Sequence, residues 1–96
     1  MSANRLCDLL GIELPVIQAP MAGSQLYEMA AAASNAGGLG SIPCAMLSAA
    51  QQREQMALLR QASSKPFNLN FFCHTPPTPD AAREAAWKAL LRPYFV

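Results

Sequence analysis

Leu14-Pro15-Val16-Ile17-Gln18-Ala19 is an extended, largely apolar run with a proline near its start and Pro20 directly after it. Apolar character without polar alternation suits a parallel strand covered on both faces. The two prolines fit its ends, where no ladder hydrogen bond is required of them. An alanine-rich segment follows, Gln25 to Asn35, which predicts a helix. Asn35-Ala36-Gly37-Gly38 is its stop, because glycine reaches the left-handed conformation that closes a helix. Leu39-Gly40-Ser41-Ile42 then reads as a second short strand. Strand, loop, helix and strand in this order make one βα unit of a parallel α/β protein.

The pattern continues. Asn4 to Leu10 is a short helical entry that Gly11 ends. Ser48, with Gln51 three residues later, sets up a capping box for a helix over Ala49 to Gln61, with Met56, Leu59 and the Arg60 stem toward the body. Lys65-Pro66 breaks that helix, and Phe67-Asn68-Leu69-Asn70-Phe71-Phe72 is the third strand. Thr75 to Asp80 carries three prolines and reads as a stiff loop, from which Asp80 caps a last helix over Ala81 to Leu91. Strand starts recur at about 25-residue intervals, as βα repeats do. Right-handed crossovers would place three parallel strands side by side. The fold class expected is α/β: an incomplete (β/α)8 TIM barrel, its first three βα units, as a single domain over residues 1–96. A closed barrel needs eight such units and about 250 residues. The apolar ending Tyr94-Phe95-Val96 agrees with a chain that is one portion of a larger body.

Composition narrows the function. Hydrophobic residues make up 52% of the 96 and charged ones 14%, which argues against a disordered chain. A net charge of +1, from basic residues scattered among acidic ones, provides no basic surface, so nucleic acid is not expected as a partner. No secretory signal opens the chain and no apolar run is long enough to span a membrane, so no membrane association and a cytoplasmic location are expected. Cys7, Cys44 and Cys73 are odd in number and widely spaced, which suits reduced thiols.

Several residues are candidates for chemistry. Pro20-Met21-Ala22-Gly23 stands where the first strand meets its loop, the edge at which parallel barrels bind ligands. It reads either as a simple tight turn or as small residues that let main-chain groups reach a planar ring. Gly37-Gly38-x-Gly40 follows a helix and precedes a strand, the reverse of a dinucleotide-binding loop, and is read as a helix stop with close helix–strand packing. Asn68 and Asn70 share one face of their strand, opposite Leu69 and Phe71. At least one of them is expected to contact a ligand, the alternative being satisfaction by neighbouring backbone. Cys73-His74 lacks metal-ligand spacing, so no metal is expected. His74 is a substrate-side candidate at the strand's end, or else a loop histidine with structural contacts. Met21, Met29, Met46 and Met56 read as packing residues, and Trp87 as core or as a surface left bare.

Three blocks together resemble one family. Leu10 to Gly23 (LGIELPVIQAPMAG), Ser34 to Ser41 (SNAGGLGS) and Lys65 to His74 (KPFNLNFFCH) are similar to the amino-terminal portion of nitronate monooxygenases, formerly called 2-nitropropane dioxygenases. The first block is shared with flavin-type enoyl-acyl-carrier-protein reductases, and the third narrows the choice. The resemblance implies an FMN-containing (β/α)8 barrel that oxidises alkyl nitronates with O2 to a carbonyl compound and nitrite. It implies that Pro20, Met21, Ala22 and Gly23 face the flavin and that Asn70 hydrogen-bonds it. The family's histidine motif and phosphate-binding loops find no counterpart among these 96 residues, so no catalytic residue is assigned and the stretch alone is expected to be inactive. An enoyl-reductase type of flavin enzyme and a non-catalytic truncated remnant that self-associates are the alternatives.

Overall fold

A buried serine and a glycine join the principal helix to the sheet. In the computed structural model, which describes residues 4–95, helix α2 (Tyr27–Asn35) lies on strand β1 (Gly40–Pro43). A Cβ at Gly40 would overlap the Ala30 carbonyl, so glycine is required for the helix to lie this close. The Gly40 N–H donates to Ser34 Oγ at 2.9 Å, and that hydroxyl donates onward to the Pro66 carbonyl at 2.8 Å. Close helix–strand packing is thus the use of this glycine, as the glycine-rich stretch suggested.

Strand β2 (Phe67–Asn70) pairs parallel with β1 in the register Gly40–Phe67, Ser41–Asn68, Ile42–Leu69 and Pro43–Asn70. Helix α3 (Ala49–Ala62) forms the crossover between them. Its capping box is complete: Gln51 N–H donates to Ser48 Oγ at 3.2 Å, and Ser48 N–H donates to Gln51 Oε1 at 2.8 Å. Ala30 and Ala31 of α2, Ile42 of β1, Cys44 just after it, and Leu59 of α3 form the buried core, flanked by Tyr27, Leu47, Phe67 and Leu69. Leu59 turns inward as expected, and the Arg60 guanidinium lies 5.5 Å from the Phe67 ring centre. The chain is therefore α/β with parallel strands.

The first strand differs from expectation. Leu14 to Ala19 is not a full strand but a single parallel bridge, Ile17 to Leu39. Two ladder bonds form, Leu39 N–H to the Val16 carbonyl at 2.9 Å and Gln18 N–H to the Leu39 carbonyl at 2.8 Å. The next rung should come from Ser41 N–H, but that donor goes to Gln18 Oε1 at 3.0 Å. Pro20, lacking an N–H, cannot return the following bond. The three segments still lie side by side in the order anticipated. β2 is likewise shorter, ending at Asn70, where Cys44 N–H makes the last bond to the Asn70 carbonyl at 2.9 Å.

At the ends of the chain, α1 (Arg5–Leu10) stops at Gly11 in the left-handed conformation, φ 66°. Helix α4 (Ala81–Leu91) is capped by Asp80, which accepts Arg83 N–H at 3.0 Å, and runs into a 3-10 turn at Arg92–Tyr94. No residue of α4 is buried, and Trp87 is exposed. The methionines also depart from expectation: Met21, Met29 and Met46 are exposed rather than packed. The radius of gyration, 18.9 Å, exceeds the about 12–13 Å of a compact chain this long, in keeping with an outlying α4.

Candidate functional site

Parallel strands put their carboxyl ends on one edge, and here that edge gathers Pro20-Met21-Ala22-Gly23 after the first segment, Cys44 to Ser48 after β1, and Asn70 to His74 after β2. The first of these is an organised turn. Ser24 N–H and Gln25 N–H both donate to the Met21 carbonyl, at 3.1 and 3.2 Å. Gly23 has φ 79°, the value that the third residue of a type II turn takes and that side chains disfavour. A Cβ there would meet no atom within 4 Å, so conformation, not crowding, calls for glycine. The Ala22 and Gly23 N–H groups make no hydrogen bond among the described residues.

The two asparagines separate. Asn68 Nδ2 donates to Ser41 Oγ at 3.2 Å across the register pair, so its amide is engaged by a side chain on β1. Asn70 uses its main chain to accept Cys44 N–H, while its half-buried carboxamide bonds to no described residue. Both face away from the helices, since the intervening Leu69 packs on the core. His74 is exposed, its ring 6.0 Å from that of Phe72. Asn70 and the Pro20–Gly23 turn thus lie on one edge, and the Asn68 amide is engaged within the sheet.

Glutamines were overlooked. Gln18 Oε1 accepts Ser41 N–H, and its Nε2 donates to the Ala19 carbonyl at 2.8 Å. Gln25, only 8% exposed, accepts Met21 N–H on Oε1 at 3.2 Å. From α3, Gln52 Nε2 reaches the Cys44 and Leu47 carbonyls at 3.3 and 3.0 Å, and Gln55 Oε1 accepts Tyr27 N–H at 3.1 Å. Burial pushes the Cys44 thiol up, with a main-chain hydrogen bond at Asn70 opposing it, and its side chain packs in the core. Among the described residues no three His, Cys, Asp or Glu side chains come together as a metal site would need, and no helix is long and apolar enough to cross a membrane.

The family model for nitronate monooxygenase matches residues 3–93. The chain belongs to the nitronate monooxygenase family. It is 49% identical over 92 residues to the nitronate monooxygenase of Pseudomonas aeruginosa, covering 96% of this chain and 26% of that protein. Against the nitronate monooxygenase of Paraburkholderia phytofirmans the identity is 48%, over 94% and 25%. Among solved structures, FabK from Thermotoga maritima superposes with a TM-score of 0.72 at 37% identity, over 79% of this chain and 24% of that one. Nitroalkane oxidase from Streptomyces ansochromogenes gives 0.68 at 32% identity, over 92% and 24%. The chain spans about a quarter of the length of these nitronate monooxygenases.

Proposed function

We propose that this chain forms the first three βα units of a (β/α)8 barrel that holds FMN at the carboxyl ends of its strands and oxidises alkyl nitronates with O2 to a carbonyl compound and nitrite. The observation that carries the proposal is the strand edge itself. A glycine-dependent turn with two unused N–H groups and an asparagine with an unused carboxamide stand at the carboxyl ends of the two parallel segments that flank β1, in a chain of the nitronate monooxygenase family. These groups fit a flavin. Donors and acceptors of this kind match the polar edge of an isoalloxazine, and open space at Gly23 lets a flat ring approach.

FMN supplies the redox chemistry when bound, and the protein's part is to bind, orient and exclude water. In this reading Ala22 and Gly23 donate main-chain N–H groups, Pro20 and Met21 line the approach, and Asn70 contributes its carboxamide. His74 is a substrate-side residue. No residue of this chain is assigned to catalysis, and the 96 residues alone have no activity.

A chimera tests the proposal. Residues 3–93 replace the matching first quarter of the Pseudomonas aeruginosa enzyme. The expected product is a yellow protein that releases nitrite from an alkyl nitronate; a folded but colourless product would overturn the flavin reading. Nitrite release by the 96-residue chain with added FMN would overturn its assigned inactivity. The likeness to FabK favours a second reading, a flavin enzyme of the enoyl-acyl-carrier-protein reductase type. Rapid reduction of the flavin by NADPH, without nitronate turnover, would select it.

A further inference from the structure

Gln25 is a carboxamide with 8% exposure in a loop whose neighbours, Ser24 and Leu26, are both exposed. Burying such a group is unfavourable unless both ends are bonded. Both are. Oε1 accepts Met21 N–H at 3.2 Å, and Nε2 donates to the Leu26 carbonyl at 2.8 Å. The main chain of Gln25 returns to the same residue, its N–H donating to the Met21 carbonyl at 3.2 Å. Residue 25 therefore holds Met21 at both its N–H and its C=O.

The consequence lies one step along the chain. With the polar groups of Met21 occupied, the turn presents the next two N–H groups, Ala22 and Gly23, with no partner among the described residues. The same bonds delay α2. Its first residue is Tyr27, not Gln25, and the orphan Tyr27 N–H is taken by Gln55 from α3. Without its side-chain bonds to Met21 and Leu26, residue 25 is free to join the helix, and the turn loses its fixed shape.

We propose that Gln25 is a positioning residue, which presets the Met21–Ser24 turn so that the Ala22 and Gly23 N–H groups are available to the flavin. For the identity of the ligand this rests on the flavin reading above; for the action of Gln25 it rests on the hydrogen bonds alone. The decisive group is the whole carboxamide, its Oε1 holding Met21 N–H while its Nε2 is anchored on the Leu26 carbonyl; a methionine of similar length offers neither bond.

Amide hydrogen exchange on the 96-residue chain tests the brace, and FMN binding by the chimera tests its consequence. In Gln25→Met, Met21 N–H exchange is expected to quicken about 3- to 10-fold, the range for one hydrogen bond's net worth, while Ile42 N–H in β1 keeps its protection. Unchanged Met21 exchange in Gln25→Met would overturn the role of Gln25. If Gln25→Met also loses protection at Ile42, Gln25→Asn, which withdraws the amide by one methylene, replaces it under the same reading. In the chimera described above, which carries the rest of the barrel, Gln25→Met is expected to weaken FMN binding about 3- to 10-fold. Equal affinity of the two chimeras would count against preorganisation. A wild-type chimera that folds without taking up FMN, with the exchange pattern as expected, would overturn the flavin reading and uphold Gln25 as the brace.

Discussion

Gly40 N–H donates to Ser34 Oγ at 2.9 Å directly beneath the Ala30 carbonyl, so one residue of β1 both anchors helix α2 and leaves it room. Gly40→Ala forces a methyl into backbone that cannot swing aside as a side chain would. The expected loss is about 3 kcal/mol or more, at the upper end for overpacking, read as a lower urea midpoint. A loss below about 0.5 kcal/mol, the range of a neutral surface change, would show that the helix is not seated on the strand.

Ser34→Ala removes the hydroxyl that both Gly40 N–H and the Pro66 carbonyl use. A donor is then left buried without a partner, at a cost of about 1–3 kcal/mol. Because Ser34 joins α2 to the turn before β2, exchange at Gly40 should quicken along with the fall in stability. Stability loss with Gly40 exchange unchanged would place the effect elsewhere.

Gly23→Ala meets no neighbouring atom, and its cost is conformational alone. At φ 79° a Cβ costs roughly 1–2 kcal/mol. Denaturation should show a loss of that size with the core unperturbed, and weaker FMN binding if the turn faces the flavin. Unchanged stability would mean that the turn relaxes freely to another shape.

Cys44 makes stability depend on alkaline pH. Burial pushes its thiol up, so in the folded chain it stays protonated after the unfolded chain has begun to ionise. Between those two values the unfolded state binds fewer protons, and stability falls as pH rises. The contribution of Cys44 is therefore complete below the ordinary thiol range of about 8.5 and declines above it. Urea midpoints of the wild type minus those of Cys44→Ala should be constant through neutral pH and shrink on the alkaline side. A difference independent of pH would refute the assignment. Thiol titration gives a second reading: exposed Cys73 should react well before Cys44.

Ser48→Ala breaks the capping box at the start of α3. About 1 kcal/mol is expected. The loss should be largely recovered by Ser48→Asp, which restores an acceptor for Gln51 N–H. Failure of aspartate to recover it would assign the effect to packing.

The helices and the caps at Ser48 and Asp80 were legible in the chain itself, as were the stop at Gly11 and the face shared by Asn68 and Asn70. Each depends on groups within a few residues of one another, so local geometry and hydrogen bonding decide them before any other element arrives. The family resemblance was legible for the same reason, in contiguous blocks. The length of the first segment, the start of α2 and the partners of the asparagines were not. Those turn on the Gln18 side chain meeting Ser41, on Gln55 arriving from α3 at Tyr27, and on Asn68 finding Ser41 across the sheet. A carboxamide carries the same donors and acceptors wherever it stands in a sequence. Only when separate elements pack does distance select which backbone group it satisfies, and with that choice come the ends of a strand, the start of a helix and the shape of the turn at the strand edge.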